Sequence, residues 1–90
     1  MKYQTSMIRQ MIRNAWKAFS QAADYAYNLE MNKLQGEGSR VGYQDGYYET
    51  MFDMYQEYME DLKIPTFKVA SKWLKCASKE IDRISSISTY

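Results

Sequence analysis

The stretch "IRQMIRNAWKAFSQAADYAYNL", residues 8–29, decides how this chain folds. Ile8, Ile12, Ala15, Phe19, Ala22, Ala26 and Leu29 recur at spacings of four and three, the period of one face of an α-helix. No glycine or proline interrupts the chain from Tyr3 to Leu34, so the pattern predicts a helix over about residues 4–34. Met7, Met11, Trp16, Ala18, Ala23 and Tyr25 widen the apolar arc to about 200°. One neighbour cannot cover so broad a face, so this helix is expected to be central, with Ala15, Ala22 and Ala26 admitting a close partner.

Working outward, the next helix is expected over residues 45–62. Tyr47, Tyr48, Met51, Phe52, Met54, Tyr55, Tyr58, Met59 and Leu62 share an arc of about 160°, and every polar residue falls in the complement. Asp45 is a suitable N-cap. Phe52, Met59 and Leu62 are expected in the core. Pro65 in "KIPT" ends this helix because it has no amide and disfavours helical geometry at Ile64. Phe67, Ala70, Leu74, Ala77, Ile81 and Ile84, with Trp73 beside them, predict a third helix over 66–87. Residues 86–90 are expected to fray. All four glycines lie in "QGEGSRVGYQDGYYE", residues 35–49, and residues 35–44 are expected to form an interhelical loop capped at Gly36 or Gly38. If the second helix began early instead, Gly38, Gly42 and Gly46 would lie along it, turned from the Tyr/Met face.

The expected fold is therefore all-α, a single domain over 1–90 arranged as an up-down-up three-helix bundle. The first helix, at about 45 Å, outruns the other two. Its first turns carry Met1, Tyr3, Met7, Ile8 and Met11, so self-association through this region or along helix 2 is expected.

Composition excludes several functions. The 90 residues contain no histidine, which removes the commonest general base and metal ligand. The Glu-x-x-His pattern of di-iron bundles cannot be built. Cys76 is the one cysteine and has no acid–base partner, so it reads as a packing thiol in a reducing compartment. "GEGSRVG" is not a phosphate-binding loop, since the required lysine and preceding strand are missing. No catalytic residue, metal or cofactor is implied, and the chain is not expected to be an enzyme. The first 23 residues are acid-free, as in an organelle transit peptide, yet the apolar pattern runs past Asp24 without a break. A cytoplasmic protein is expected, with no membrane partner.

With a net charge of +1, charge matters here only by position. Lys68, Lys72, Lys75, Lys79 and Arg83 fall within about 80° on the third helix, a ridge suited either to anionic phosphate or to solvent. Lysines lack the bidentate fork that reads bases, so sequence-specific DNA recognition is not expected. Residues 43–62 hold six acids and no base, which can neutralise that ridge within one chain or between chains. Nine tyrosines concentrate near apolar faces, among them Tyr25, Tyr43, Tyr47, Tyr48, Tyr55 and Tyr58, and suit a half-wet interface. The candidate sites are accordingly an anion-binding set of Lys68, Lys72, Lys75, Lys79, Arg83 and Arg40, and a stacking or interface set of Tyr3, Tyr43, Tyr47, Met7 and Met11.

In overall character this short, Tyr- and Met-rich helical chain resembles the small accessory proteins that phages encode against host defences. That resemblance implies a non-catalytic binding or inhibitory module, oligomeric and acting on a protein partner in the host cytoplasm. Other proteins of that kind sequester cyclic oligonucleotides, so the alternative it implies is a binder of phosphate-bearing ligands: cyclic nucleotides, nucleotides or nucleic acid. The resemblance carries over no individual residue.

Overall fold

The computed structural model describes residues 2–88, with the side chains of residues 2 and 3 outside the described set. The described residues form three helices and no strand: α1 over Lys2–Lys33, α2 over Glu37–Lys63 and α3 over Phe67–Ser88. In α1 the four-and-three pattern is the buried face, with Ile8, Ile12, Ala15, Phe19, Ala22, Ala23 and Ala26 all in the core. The alanines let α3 lie close along most of α1, whereas the backbone of α2 stands farther from both. Helix α2 meets α3 through long side chains, Asp61 with Trp73 and Lys72, and Tyr58 with Trp73.

Trp73 on α3 is fully buried and closes this core with Ile12, also fully buried. Its ring meets Trp16 edge-on at 5.6 Å and lies 6.2 Å from Phe19 and 6.0 Å from Tyr58. Contacts along α1 descend through α2: Arg9 Nε donates to the Leu62 carbonyl at 3.0 Å, Trp16 stacks on Tyr58 at 4.8 Å, and Tyr27 stacks on Tyr47 at 4.2 Å. Along α3 they ascend, from Trp16 with Trp73 to Glu30 with Arg83 at 3.6 Å. The described chain is elongated, 54 × 25 × 14 Å, with a radius of gyration of 15.3 Å. A compact chain of this length would have a radius near 12 Å.

The largest departure from the sequence expectation is the start of α2. The helix begins at Glu37, so residues 37–44, expected as loop, are helical, and Asp45 lies inside the helix rather than capping it. Residues 34–36 make the turn, with Gly36 at φ 86°, a conformation that disfavours any side chain. The side chain of Arg40 then reaches back, Nε to the Leu34 carbonyl at 3.4 Å, and closes the end of α1. Stacking of Tyr43 and Tyr47 on Tyr27 supplies the tertiary contact that holds a glycine-containing helical turn in place.

Residues 86–88 also differ from expectation. They continue α3 instead of fraying, because Ile87 is buried and Lys33 Nζ donates to its carbonyl at the helix C-terminus. Residues 89–90 lie outside the described residues. At the other end, the Thr66 hydroxyl accepts from the Val69 amide at 3.1 Å, a side-chain cap that starts α3 directly after Pro65.

No atom lies within 4 Å of the position a Cβ would take at Gly38. Gly38→Ala is therefore expected to stabilise the fold by about 0.5–1 kcal/mol, and Gly36→Ala to destabilise it by about 1 kcal/mol. Urea denaturation of the two variants checks both signs.

Candidate functional site

The Tyr/Met surface of α2 is divided by what covers it. Its apolar arc is wider than α1 and α3 can reach, so only the side bearing Tyr43, Tyr47, Met51, Met54 and Tyr58 turns inward, and Tyr58 is the one buried residue of the helix. Phe52 and Met59, expected in the core, are 61% and 43% exposed. Leu62 packs partly against the core as expected. Val41, Tyr48 and Tyr55 are exposed beside Phe52 and Met59.

On the inward side, α2 and α3 stand apart above α1 and enclose an open groove of about 500 Å³. Phe19 and Ala23 of α1 are its apolar floor; Gly42, Tyr43, Gly46, Tyr47, Thr50 and Met51 form the α2 wall, and Glu80 and Arg83 the α3 wall. Neither Gly42 nor Gly46 has an atom within 4 Å of the Cβ position, so the helix backbone itself faces the opening. Gly42 and Gly46 are thus turned from the Tyr/Met face, as an early start of α2 implied, and form one edge of a groove open to solvent.

Tyrosines organise the α2 wall. The Tyr27 ring lies 5.8 Å from Tyr43, 4.2 Å from Tyr47 and 6.0 Å from Tyr48. The Tyr47 hydroxyl donates to Asp24 at 2.5 Å. Burial, then the hydrogen bond to Asp24 and its negative charge, hold the Tyr47 phenol far above its ordinary value of 10. Tyr27, which the periodicity did not single out, is the centre of this cluster, whereas Tyr25 is 56% exposed. At 100° per residue Tyr27 shares the α2-facing side of α1 with Arg9 and Trp16, and Tyr25 is turned about 160° away.

The basic ridge of α3 is not continuous. Lys72 Nζ donates to Glu57 at 2.8 Å and to Asp61 at 2.6 Å, and lies 5.2 Å from the centre of the Trp73 ring. Arg83 pairs with Glu80 at 3.1 Å and Glu30 at 3.6 Å, and sits against Tyr43 in the groove wall. Lys68, Lys75 and Lys79 are exposed and enter no ion pair among the described residues. Arg40 is far from them at the α1–α2 hinge. The anion-binding set of the sequence analysis therefore divides three ways: two residues engaged within the chain, three facing solvent, and one closing a helix end.

Of the proposed interface set, Tyr43 and Tyr47 meet in the groove, Met11 packs against the core and Met7 is 48% exposed. The Tyr3 side chain lies outside the described residues. Cys76 is half-buried and packs partly against the core. Among the described residues, no helix is long and apolar enough to cross a membrane. Comparison with protein-family models, curated proteins and solved structures finds no match to this chain.

Two outcomes test the site chemistry. The Asp61 carboxylate accepts from the Trp73 indole N–H at 2.8 Å as well as from Lys72. Asp61→Ala leaves that indole without its partner and is expected to cost about 1–3 kcal/mol, measured by urea denaturation. Folding favours the neutral Tyr47 phenol, so its contribution is present below pH 10 and lost as pH rises toward the higher folded-state value. Tyr47→Phe, which has no proton to lose, is expected to be less destabilised by alkali than the parent, read from thermal midpoints across that range.

Proposed function

We propose that this protein is a non-catalytic binding module, an up-down-up three-helix bundle that inhibits a protein partner by seating the partner's apolar side chains in the groove between α2 and α3. One observation carries this reading. The chain leaves an open, tyrosine-walled apolar groove of about 500 Å³ beside its own core, with glycine backbone exposed along one wall. Binding sites combine apolar lining with a few placed polar groups. Phe19, Ala23 and Met51 supply the first, while Thr50, Glu80 and Arg83 supply the second. Tyrosines with one wet edge suit recognition of a protein surface. A cytoplasmic, anti-defence role of the phage accessory kind agrees with this reading.

A second reading has its own support. Arg83 lies in the same groove as Tyr43 and Tyr47, so a base could stack on a tyrosine while a phosphate meets the guanidinium. Its partners Glu80 and Glu30 compete for that guanidinium, which favours the protein-binding reading.

Gly46→Phe tests the groove directly. A Cβ added at Gly46 meets no atom within 4 Å, so a side chain can start there without displacing the core, and its ring occupies the groove. The variant is expected to keep the parent's thermal midpoint or exceed it, and to lose the partner that the parent retains on a co-purification column. A bound nucleotide, seen as excess nucleic-acid absorbance in the purified parent and absent from Gly46→Phe, would select the second reading instead.

A further inference from the structure

Two exposed stripes, both separate from the groove, are left mostly uncovered within one chain, although Tyr48 reaches Tyr27 at 6.0 Å and Tyr55 reaches Trp16 at 5.7 Å along one edge. On α2, Val41, Tyr48, Phe52, Tyr55 and Met59 are 43–61% exposed. They lie within about 60° of one another, at the spacings of a coiled-coil seam whose remaining position is Asp45. On α3, Phe67, Leu74 and Ile81 are 47–57% exposed at seven-residue intervals. Ser71, Ser78 and Ser85, also exposed, alternate with them on the same line. Each stripe faces away from the other helix of its own chain. Glu57 and Asp61 mark the side of α2 nearest α3, and Lys72 the side of α3 nearest α2, each turned well over 90° from its helix's stripe.

We propose that a second copy of this chain covers these stripes, with α2 of one protomer packing antiparallel against α3 of the next. Complementarity of size and charge selects this occupant. Ile64 and Pro65 lie midway in sequence between the helices. Residues equidistant from that midpoint meet in an antiparallel pairing, as Glu57 and Lys72 already do within the chain at 2.8 Å. Carried sideways to a neighbour without axial slip, that register sets Tyr48 against Ile81 and Tyr55 against Leu74. It also sets Phe52 against Ser78 and Met59 against Ser71, a large residue against a small one in each pair, while Val41 and Phe67 fall at the two ends of the contact.

Charges on one flank of each stripe, turned roughly 80–130° from its centre at 100° per residue and on the same side of an antiparallel pair, follow the same register. Glu49 falls level with Lys79, Asp53 with Lys75, and Glu60 with Lys68, each pair equidistant from Ile64. Glu49, Asp53, Lys68, Lys75 and Lys79 enter no ion pair among the described residues of their own chain. Two residues oppose the arrangement: Asp82 falls near Glu49, and Lys63 near Lys68, although Lys63 is already paired with Glu60 at 3.1 Å. An unrelated partner would have to reproduce one half of this pattern, whereas a copy of the chain carries both halves. The contact length, about 27 Å at 1.5 Å per residue, corresponds to an interface at the lower end of the specific range, roughly 1,000 Å². Because different surfaces meet, each added protomer offers a fresh edge, and the assembly grows as a ring or a row rather than stopping at a two-fold dimer.

Sedimentation velocity of the full chain across a concentration series tests this. The parent is expected to exceed dimer mass as concentration rises through tens of micromolar. Asp53→Lys and Lys75→Glu, both at exposed positions without internal partners, are expected to keep the helical circular dichroism of the parent. Each should weaken assembly by roughly 3–10-fold per contact. An equimolar mixture of the two variants should regain assembly, because the reversed charge on α2 of one chain meets the reversed charge on α3 of the other and the pair is again of opposite sign. Asp82→Lys should tighten assembly by removing the repulsion with Glu49. A parent that stays monomeric at all these concentrations overturns the proposal. So does a Lys75→Glu variant that assembles like the parent, or a mixture that assembles no better than its components. Gly46→Phe, which fills the groove and leaves both stripes untouched, should assemble as the parent does, so failure of the groove reading and failure of this one are read separately.

Discussion

The structure depends on the burial of Trp73. Its indole is fully buried between α1 and α2, yet its N–H still needs an acceptor, and Asp61 at the end of α2 supplies one at 2.8 Å. The same carboxylate oxygen takes a hydrogen bond from Lys72, so one residue joins the core of α1 and α3 to the last turn of α2. Trp16 and Phe19 flank the indole from α1, and Tyr58 from α2. A large ring at the centre of so small a core leaves little tolerance: truncating a buried tryptophan typically costs about 3–5 kcal/mol.

That anchoring has a geometric consequence. Alanines on α1 draw α3 close along its length, while α2 is held near its end by Arg9, Trp16, Tyr58 and Asp61, and near its start by the tyrosine stack on Tyr27. The bulky rings keep α2 away from the close approach that alanine permits. The groove beside Gly42 and Gly46 is the space this leaves. The outer half of the α2 apolar arc is left with no covering helix in its own chain.

Much of this was legible from periodicity. The number of helices and the buried face of α1 follow from apolar spacing, because a helix must turn such a stripe away from water. The break at Pro65 follows from its missing amide and fixed φ. What misled was local chemistry read without its neighbours. Three glycines suggested a loop over 35–44, but the weak helix propensity of two of them, Gly38 and Gly42, is overridden by the stacking of Tyr43 and Tyr47 on a residue far away in sequence, Tyr27. Phe52 and Tyr58 belong to one continuous apolar arc, and nothing in that arc says that only the side bearing Tyr58 is covered. The lysine ridge looked uniform for the same reason, since the acids that engage Lys72 and Arg83 come from α1 and α2 as well as from α3.

The sequence by itself determined three amphipathic helices, the central place of the first and the separation of acidic from basic faces. These are properties of a single helix wheel or of composition, and they follow from residue spacing alone. Only the tertiary structure decided which side of α2 is buried, where Arg83 and Tyr43 come together, and that an open groove lies beneath Gly42 and Gly46. Those features depend on the distance and rotation between helices. Both are set by side-chain size at contacts between residues remote in sequence, chiefly alanine against α3 and aromatic rings against α2, which no single helix pattern contains.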